Sequence, residues 1–211
     1  DINYKSLAKR MSTLSDASAN MSLLEERAER VLDDHIGALP PHVFMLGAEY
    51  TPQEFAHSVC MRNEYMAMTS FTHHPFDEMF VLEIPDNYNN DPFYNVPIDV
   101  LMNRIEKSIR AGHPVCWEGD ITEKGFSFKD GVAMLGKEQP CTQQQRQTAF
   151  ENRSTTDDHC MALIGLAHDK QGHRFYIAKN SWGTDNPYGG FMYLSENYIR
   201  MKTVAVVVKN M

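Results

Sequence analysis

Apolar residues recur near every third or fourth position through the first 40 residues: Leu7, Met11 and Leu14, then Leu23, Leu24, Ala28, Val31 and Leu32. This period predicts two helices, the second opened by a capping box of Ser22 and Glu25. Pro40 and Pro41 then forbid continuation past Ala38-Leu39. After a break at Gly47, Thr51 is the predicted N-cap of a short helix, with Pro52 in the first helical position and Glu54 completing a second capping box. The period changes in residues 61–96. Met66–Phe71 and Met79–Ile84 read as strands, separated by His73-His74-Pro75 and closed by a polar loop from Asp86 to Pro92. Pro97 opens an amphipathic helix with Ile98, Leu101, Met102, Ile105 and Ile109 on one face and Gly112 closing it. Pro114–Glu118 reads as a buried strand and residues 119–156 as irregular. The last third predicts four strands, His159–Ala167, Arg174–Lys179, Phe191–Leu194 and Thr203–Lys209, arranged as an antiparallel half-barrel or meander.

Composition narrows the function classes. With 42% hydrophobic and 23% charged residues, the 211-residue chain sits near the globular average, which excludes bulk disorder. Twenty Lys and Arg against 28 Asp and Glu leave a formal charge of -8, which argues against nucleic acid as a partner. The longest apolar runs fall far short of the roughly 20 residues that span a bilayer. Cys60, Cys116, Cys141 and Cys160 are widely spaced, so neither a zinc knuckle nor a redox dithiol motif is present, and a reducing, cytoplasmic setting is expected. The chain begins at Asp1, and we expect it to be a piece of a longer protein.

The chemistry concentrates in Asp158-His159-Cys160-Met161-Ala162 and Lys179-Asn180-Ser181-Trp182-Gly183, which set Asn180 21 residues after His159. A His at the head of one strand and an Asn at the end of the next face each other across a hairpin. A neutral amide on one imidazole nitrogen fixes the ring and tautomer that a proton shuttle needs. Trp182 is placed to cover the contact. Read from spacing alone, the pair is also compatible with an ordinary satisfied polar contact. Alternation along a strand sends Cys160 to the face opposite His159, which we expect to be the core. Cys116 lies in a strand without the helix N-terminus that would help lower a thiol pKa, and a structural role is expected for it. His57, His73, His74 and His113 suggest no metal site, because His73-His74 is an adjacent pair and no carboxylate sits at ligand spacing. No cofactor is expected. Met61, Met66 and Met68 read as core filling, and the Asp and Asn cluster at 86–91 as a solvated loop.

The histidine and Asn-Ser-Trp-Gly blocks resemble those of the papain superfamily of cysteine peptidases, and more narrowly the bleomycin hydrolase and aminopeptidase C branch. Tyr50-Thr51-Pro52-Gln53-Glu54-Phe55 is similar to a helix-opening segment of that branch. Tyr94-Asn95-Val96-Pro97-Ile98-Asp99-Val100-Leu101 resembles its N-x-P-I-D-x-L helix start, Ala111–Trp117 the helix-to-strand step, and Tyr188–Leu194 the strand after the Trp. The likeness covers about residues 42–208. It implies an α+β, papain-like fold, with a helical insertion segment at 1–41 and the His/Asn-bearing β-rich portion at 42–211. It implies His159 as general base and acid, Asn180 as its orienter and Trp182 as their shield, acting on a peptide substrate.

The family's nucleophilic Cys, preceded by an oxyanion-hole Gln, has no match here. We therefore expect it in an upstream segment of the same protein and expect the isolated chain to be inactive. An aminopeptidase tail and a hexameric ring are further family properties the resemblance implies. The rival reading is a non-catalytic papain-like binding or assembly module. Either way, a β-rich half without its helical partner should expose an apolar face and pair through it.

Overall fold

Two helices, α1 (Tyr4–Ala17) and α2 (Met21–Ile36), form where the 3.6-residue period marks them. The computed structural model describes residues 4–17, 20–136 and 140–210; residues 1–3 and 18–19 of the helical segment, 137–139 of the stretch expected to be irregular, and 211 lie outside the described residues. The N-cap of α2 is Asn20 and not Ser22: its side chain accepts from Leu23 N, and Ser22 falls inside the first turn. The helix stops at Gly37, φ +100°, three residues before the prolines. Strands β1 (Val43–Met45) and β2 (Ala48–Tyr50) pair antiparallel around Leu46-Gly47. Helix α3 (Pro52–Val59) has the predicted reciprocal cap, with Thr51 N donating to Glu54 Oε2 at 2.8 Å and Glu54 N to Thr51 Oγ1 at 3.3 Å. Chain contacts divide the molecule into Asp1–Met61 and Arg62–Met211. Among the described residues of the first unit, Leu7 is the buried hydrophobic side chain.

The second unit is built on strands β3 (Tyr65–Thr69), β4 (Met79–Val81), β5 (Pro92–Asn95), β6 (Val115–Gly119), β7 (Phe126–Ser127), β8 (Val132–Ala133), β9 (His159–His168), β10 (Arg174–Lys179), β11 (Phe191–Ser195) and β12 (Thr203–Lys209). They form one open sheet in the order β4-β5-β3-β12-β6-β9-β10-β11-β8-β7, antiparallel except for β3/β5 and β8/β11. The predicted meander holds for β9, β10 and β11. The last strand departs from it: α6 (Glu196–Lys202) carries the chain across, and β12 pairs with β3 and β6.

Helix α4 (Ile98–Arg110) buries Ile98, Leu101, Met102 and Ile105 against inward residues of the sheet, among them Trp117, Leu163, Tyr176 and Val206. Four such side chains contribute roughly 6–12 kcal/mol before the entropy of ordering them, at about 1.5–3 kcal/mol each. Met68 joins this core, whereas Met61 is exposed. That corrects the reading of all three methionines as filling.

Helix α5 (Gln143–Glu151) lies in the stretch expected to be irregular, and its inward face is polar. Buried Arg146 donates Nε to Ser70 O at 2.9 Å and Nη1 to Arg200 O at 3.1 Å, with its guanidinium 4.6 Å from the Phe71 ring centre. Gln143 Oε1 accepts from Ile98 N at 2.7 Å. Residues 143, 146 and 147 share one helical face, so the helix docks through hydrogen bonds and has no apolar period to detect. Asn95, also buried, ties down the loop after β3 by bonds to Phe71 N and O and to the carbonyls of His74 and Pro75. Among the described residues no helix is long and apolar enough to cross a membrane.

Candidate active site

His159 is the first residue of β9, and Asn180 follows the last residue of the neighbouring β10. Their side chains meet, with His159 Nε2 2.9 Å from Asn180 Oδ1. The backbone decides the hydrogen positions. Ser181 N–H, which can only donate, points at the same Oδ1 from 2.7 Å, so that atom is the oxygen. His159 Nε2 must therefore carry the proton it shares with Asn180, and the neutral ring keeps its lone pair on Nδ1. Asn180 is itself buried, 6% exposed, with Nδ2 directed at Met192 Sδ.

The loop that presents Asn180 closes through two glycines. Asn180 N donates to Gly190 O at 3.2 Å, and a Cβ on Gly190 would stand 2.4 Å from Gly183 O. Both residues have positive φ, 86° and 91°. The chain can double back behind Asn180 because neither carries a side chain.

Trp182 lies against His159 with ring centres 4.9 Å apart and is held edge-on by Phe126 and Phe128 at 5.9 and 5.5 Å. It remains 47% exposed, so it screens one side of the imidazole and leaves the rest open. Phe126 and Phe128 lie in the stretch read as irregular, where no spacing signals them.

A buried charge network braces the approach to His159. Gly119, at the end of β6, is the register partner of His159. Next to it Asp120, 1% exposed, accepts from Lys202 Nζ at 3.0 Å, and Lys202, 2% exposed, also bonds Ser154 O at 2.5 Å and Glu123. Burial raises the Asp120 carboxyl pKa, but hydrogen bonds from Thr122 and the ammonium of Lys202 outweigh it and hold the group below the usual range.

Alternation along β9 does send Cys160 away from His159, but the core lies on the His159 side. His159, Met161 and Leu163 share one face, Met161 and Leu163 are buried, and Cys160 is exposed; the expectation that Cys160 faces the core is corrected. Cys116 is exposed on the same open face. Both line a groove of about 580 Å³ together with Tyr65, Lys179, Asn180 and Ser181. Further along β6, Glu118, whose pKa is pushed up to about 8 by burial and by contact with Asp157, forms a cluster with Asp157 and Asp86.

Elsewhere, Glu83 receives both imidazoles of the adjacent histidine pair, His73 Nε2 at 3.1 Å and His74 Nε2 at 2.8 Å, so a carboxylate does stand at ligand spacing. Gln147 sets the tautomer of His73. Its Oε1 accepts from Thr72 N at 2.6 Å, which turns its amide N–H toward His73 Nδ1 at 3.0 Å. The ring nitrogen facing Glu83 thus bears a proton where a metal would need a lone pair. His57 and His113 do not join this cluster.

The chain is 25% identical over 155 residues to aminopeptidase G of Lactobacillus delbrueckii subsp. lactis, a match covering 69% of this chain and 35% of that protein. It is 24% identical over 170 residues to aminopeptidase W of the same organism, covering 75% and 39%. The chain thus spans little more than a third of the length of these curated relatives. Among solved structures, PepW from Lactobacillus rhamnosis HN001 superposes with a TM-score of 0.66 at 17% identity, over 98% of this chain and 53% of that one, which supports the fold. The family model described as Peptidase C1-like matches residues 42–211, the stretch that carries both His159 and Asn180. The chain belongs to that family, the papain-like cysteine peptidases, within their aminopeptidase C branch.

Proposed function

We propose that this chain supplies the proton-handling half of a cysteine aminopeptidase, with His159 as the shuttle, Asn180 as its orienter and Trp182 as a partial screen. The observation that carries the reading is the 2.9 Å bond from His159 Nε2 to an Asn180 oxygen whose identity Ser181 N–H fixes. A base must offer a lone pair in a set direction, and this arrangement leaves Nδ1 as that lone pair. When Nδ1 takes a thiol proton, the resulting imidazolium keeps its bond to the amide oxygen and gains the π-face of Trp182, a cation–π contact of about 0.5–2 kcal/mol. The proton then passes to the leaving amine as a peptide bond breaks.

The nucleophilic cysteine belongs, in this reading, to a segment of the same protein upstream of Asp1. Neither exposed cysteine of the sheet qualifies: Cys116 and Cys160 sit on the face opposite His159. Aminopeptidase action is suggested by the names of the relatives.

The test uses the longer protein that contains these residues and an aminoacyl fluorogenic substrate. Hydrolysis is expected, with loss of turnover in His159→Gln, a smaller loss in Asn180→Ala, and labelling of an upstream cysteine by a thiol-reactive epoxide. If the longer protein neither turns over substrate nor is labelled, the reading fails and a non-catalytic module takes its place. Hydrolysis by residues 1–211 alone would overturn the assignment of the nucleophile to an upstream segment.

A further inference from the structure

The open face of the sheet carries two cysteines that the hydrolytic reading does not use. Strands β6 and β9 pair antiparallel, with Cys116 opposite Ala162 and Glu118 opposite Cys160, so the two cysteines are diagonal neighbours on one face. Both are exposed and both line the groove beside Asn180.

A direct disulfide does not suit this register. Diagonal positions stand about 7–8 Å apart, whereas a disulfide usually needs about 4.4–6.8 Å between Cα atoms, so closing the bond would drag one strand along the other. A single atom held by two sulfurs at roughly 2.3 Å each bridges the wider gap. The donor count then selects the ion. Zinc needs four ligands, and among the described residues neither cluster of three donor side chains includes a cysteine. A soft monovalent cation is satisfied by two thiolates in a near-linear arrangement, and thiolate donors favour it.

We propose that Cys116 and Cys160 form a two-thiolate site for a soft monovalent cation of the copper(I) or silver(I) type. Uptake displaces the thiol protons: the Cys116 thiol, the Cys160 thiol and the cation give a bis-thiolate complex with one net negative charge, releasing two protons, with no change of oxidation state. Lys179, in the same groove lining, offsets that charge.

The test is an anaerobic titration of the reduced 211-residue chain with copper(I) held by a chromophoric chelator. One ion per chain is expected to leave the chelator, with release of protons to a pH indicator. Cys116→Ser and Cys160→Ser should each weaken uptake by more than about 100-fold, since loss of an outer-shell partner alone costs 10–100-fold. Cys60→Ser and Cys141→Ser should bind as the parent chain does. No uptake by the parent chain, or parent-like uptake by either Cys116→Ser or Cys160→Ser with native circular dichroism, would overturn the site. The readout is independent of hydrolysis, so its failure and failure of the peptidase reading are distinguishable.

Discussion

Lys202→Met tests whether the buried charge network fixes the segment leading into His159. The ammonium is 2% exposed, and its bonds run to Asp120 Oδ2, Ser154 O and Glu123. Methionine keeps most of the volume but leaves the Asp120 carboxylate, 1% exposed, without its cation. Breaking a buried pair from one side costs about 3–5 kcal/mol. For a chain of this size each kcal/mol moves Tm by about 2–4 °C, so a fall of roughly 6–20 °C is expected. The assay is urea and thermal unfolding followed by far-ultraviolet circular dichroism. Asp120→Asn in the Lys202→Met background should recover a large part of the loss. It removes the stranded charge while keeping an oxygen for Thr122 N, which the carboxylate now binds at 2.7 Å. A Lys202→Met loss below about 1 kcal/mol, the scale of an exposed pair, would refute the claim that this network is a buried brace.

Three further outcomes follow from the same geometry. Asn180→Ala should abolish the preference for the Nε2-protonated form of His159 in nitrogen-15 NMR spectra; an unchanged tautomer would show that something other than the amide sets the ring. Gly190→Ala should destabilise the chain clearly more than Gly172→Ala. Both glycines have positive φ, where an L side chain costs about 1–2 kcal/mol, but only the Gly190 Cβ meets a backbone oxygen, at 2.4 Å; equal losses in denaturant titrations would refute the close-approach argument. Glu118 is held protonated up to about 8, chiefly by burial. The folded state therefore binds more protons than the unfolded one between the ordinary carboxylate range and about pH 8, and stability falls as pH rises through that window. Glu118→Gln should flatten this slope, and an undiminished slope would remove Glu118 as its source.

Legibility in the sequence tracked the physical origin of each element. Helix α4 and strands β6, β9 and β10 are bound by apolar side chains with a clear period, and the structure has them within a residue or two of their expected limits. Helix α5 is docked by Arg146 and by the side-chain amides of Gln143 and Gln147, so hydrophobic periodicity could not report it. Its one local signal was the capping box of Thr142 and Gln145, which the structure contains. Helix α6, seven residues between two strands, has Ser195 as its N-cap, again a single polar cue. Strand β5 was hidden by Pro92 at its start and by Asn95, a residue that normally marks turns and here satisfies a buried loop.

The site was legible in its pairing and misread in its facing, and both outcomes come from one rule. Successive strand residues do point to opposite sides, so His159 and Cys160 are separated as expected. The error lay in treating a histidine with solvent chemistry as evidence that its face of the strand is the open one. His159 lies on the packed face, with Met161 and Leu163, and reaches solvent because it is the first residue of β9, where the sheet ends and Trp182 covers only part of the ring. The open face is left to Cys116, Glu118 and Cys160. This division has a chemical consequence. A histidine at the rim of a packed face is oriented by the core, through the Asn180 side chain against Met192 and through Trp182 against Phe126, so although Asn180 also lines the groove, the contacts that hold the ring lie on the packed side. Cation binding at the two thiols should therefore leave the His159 tautomer unchanged in the NMR spectrum. A shift of His159 on cation uptake would mean that the two faces are coupled through β9, and the separation of roles between them would fail.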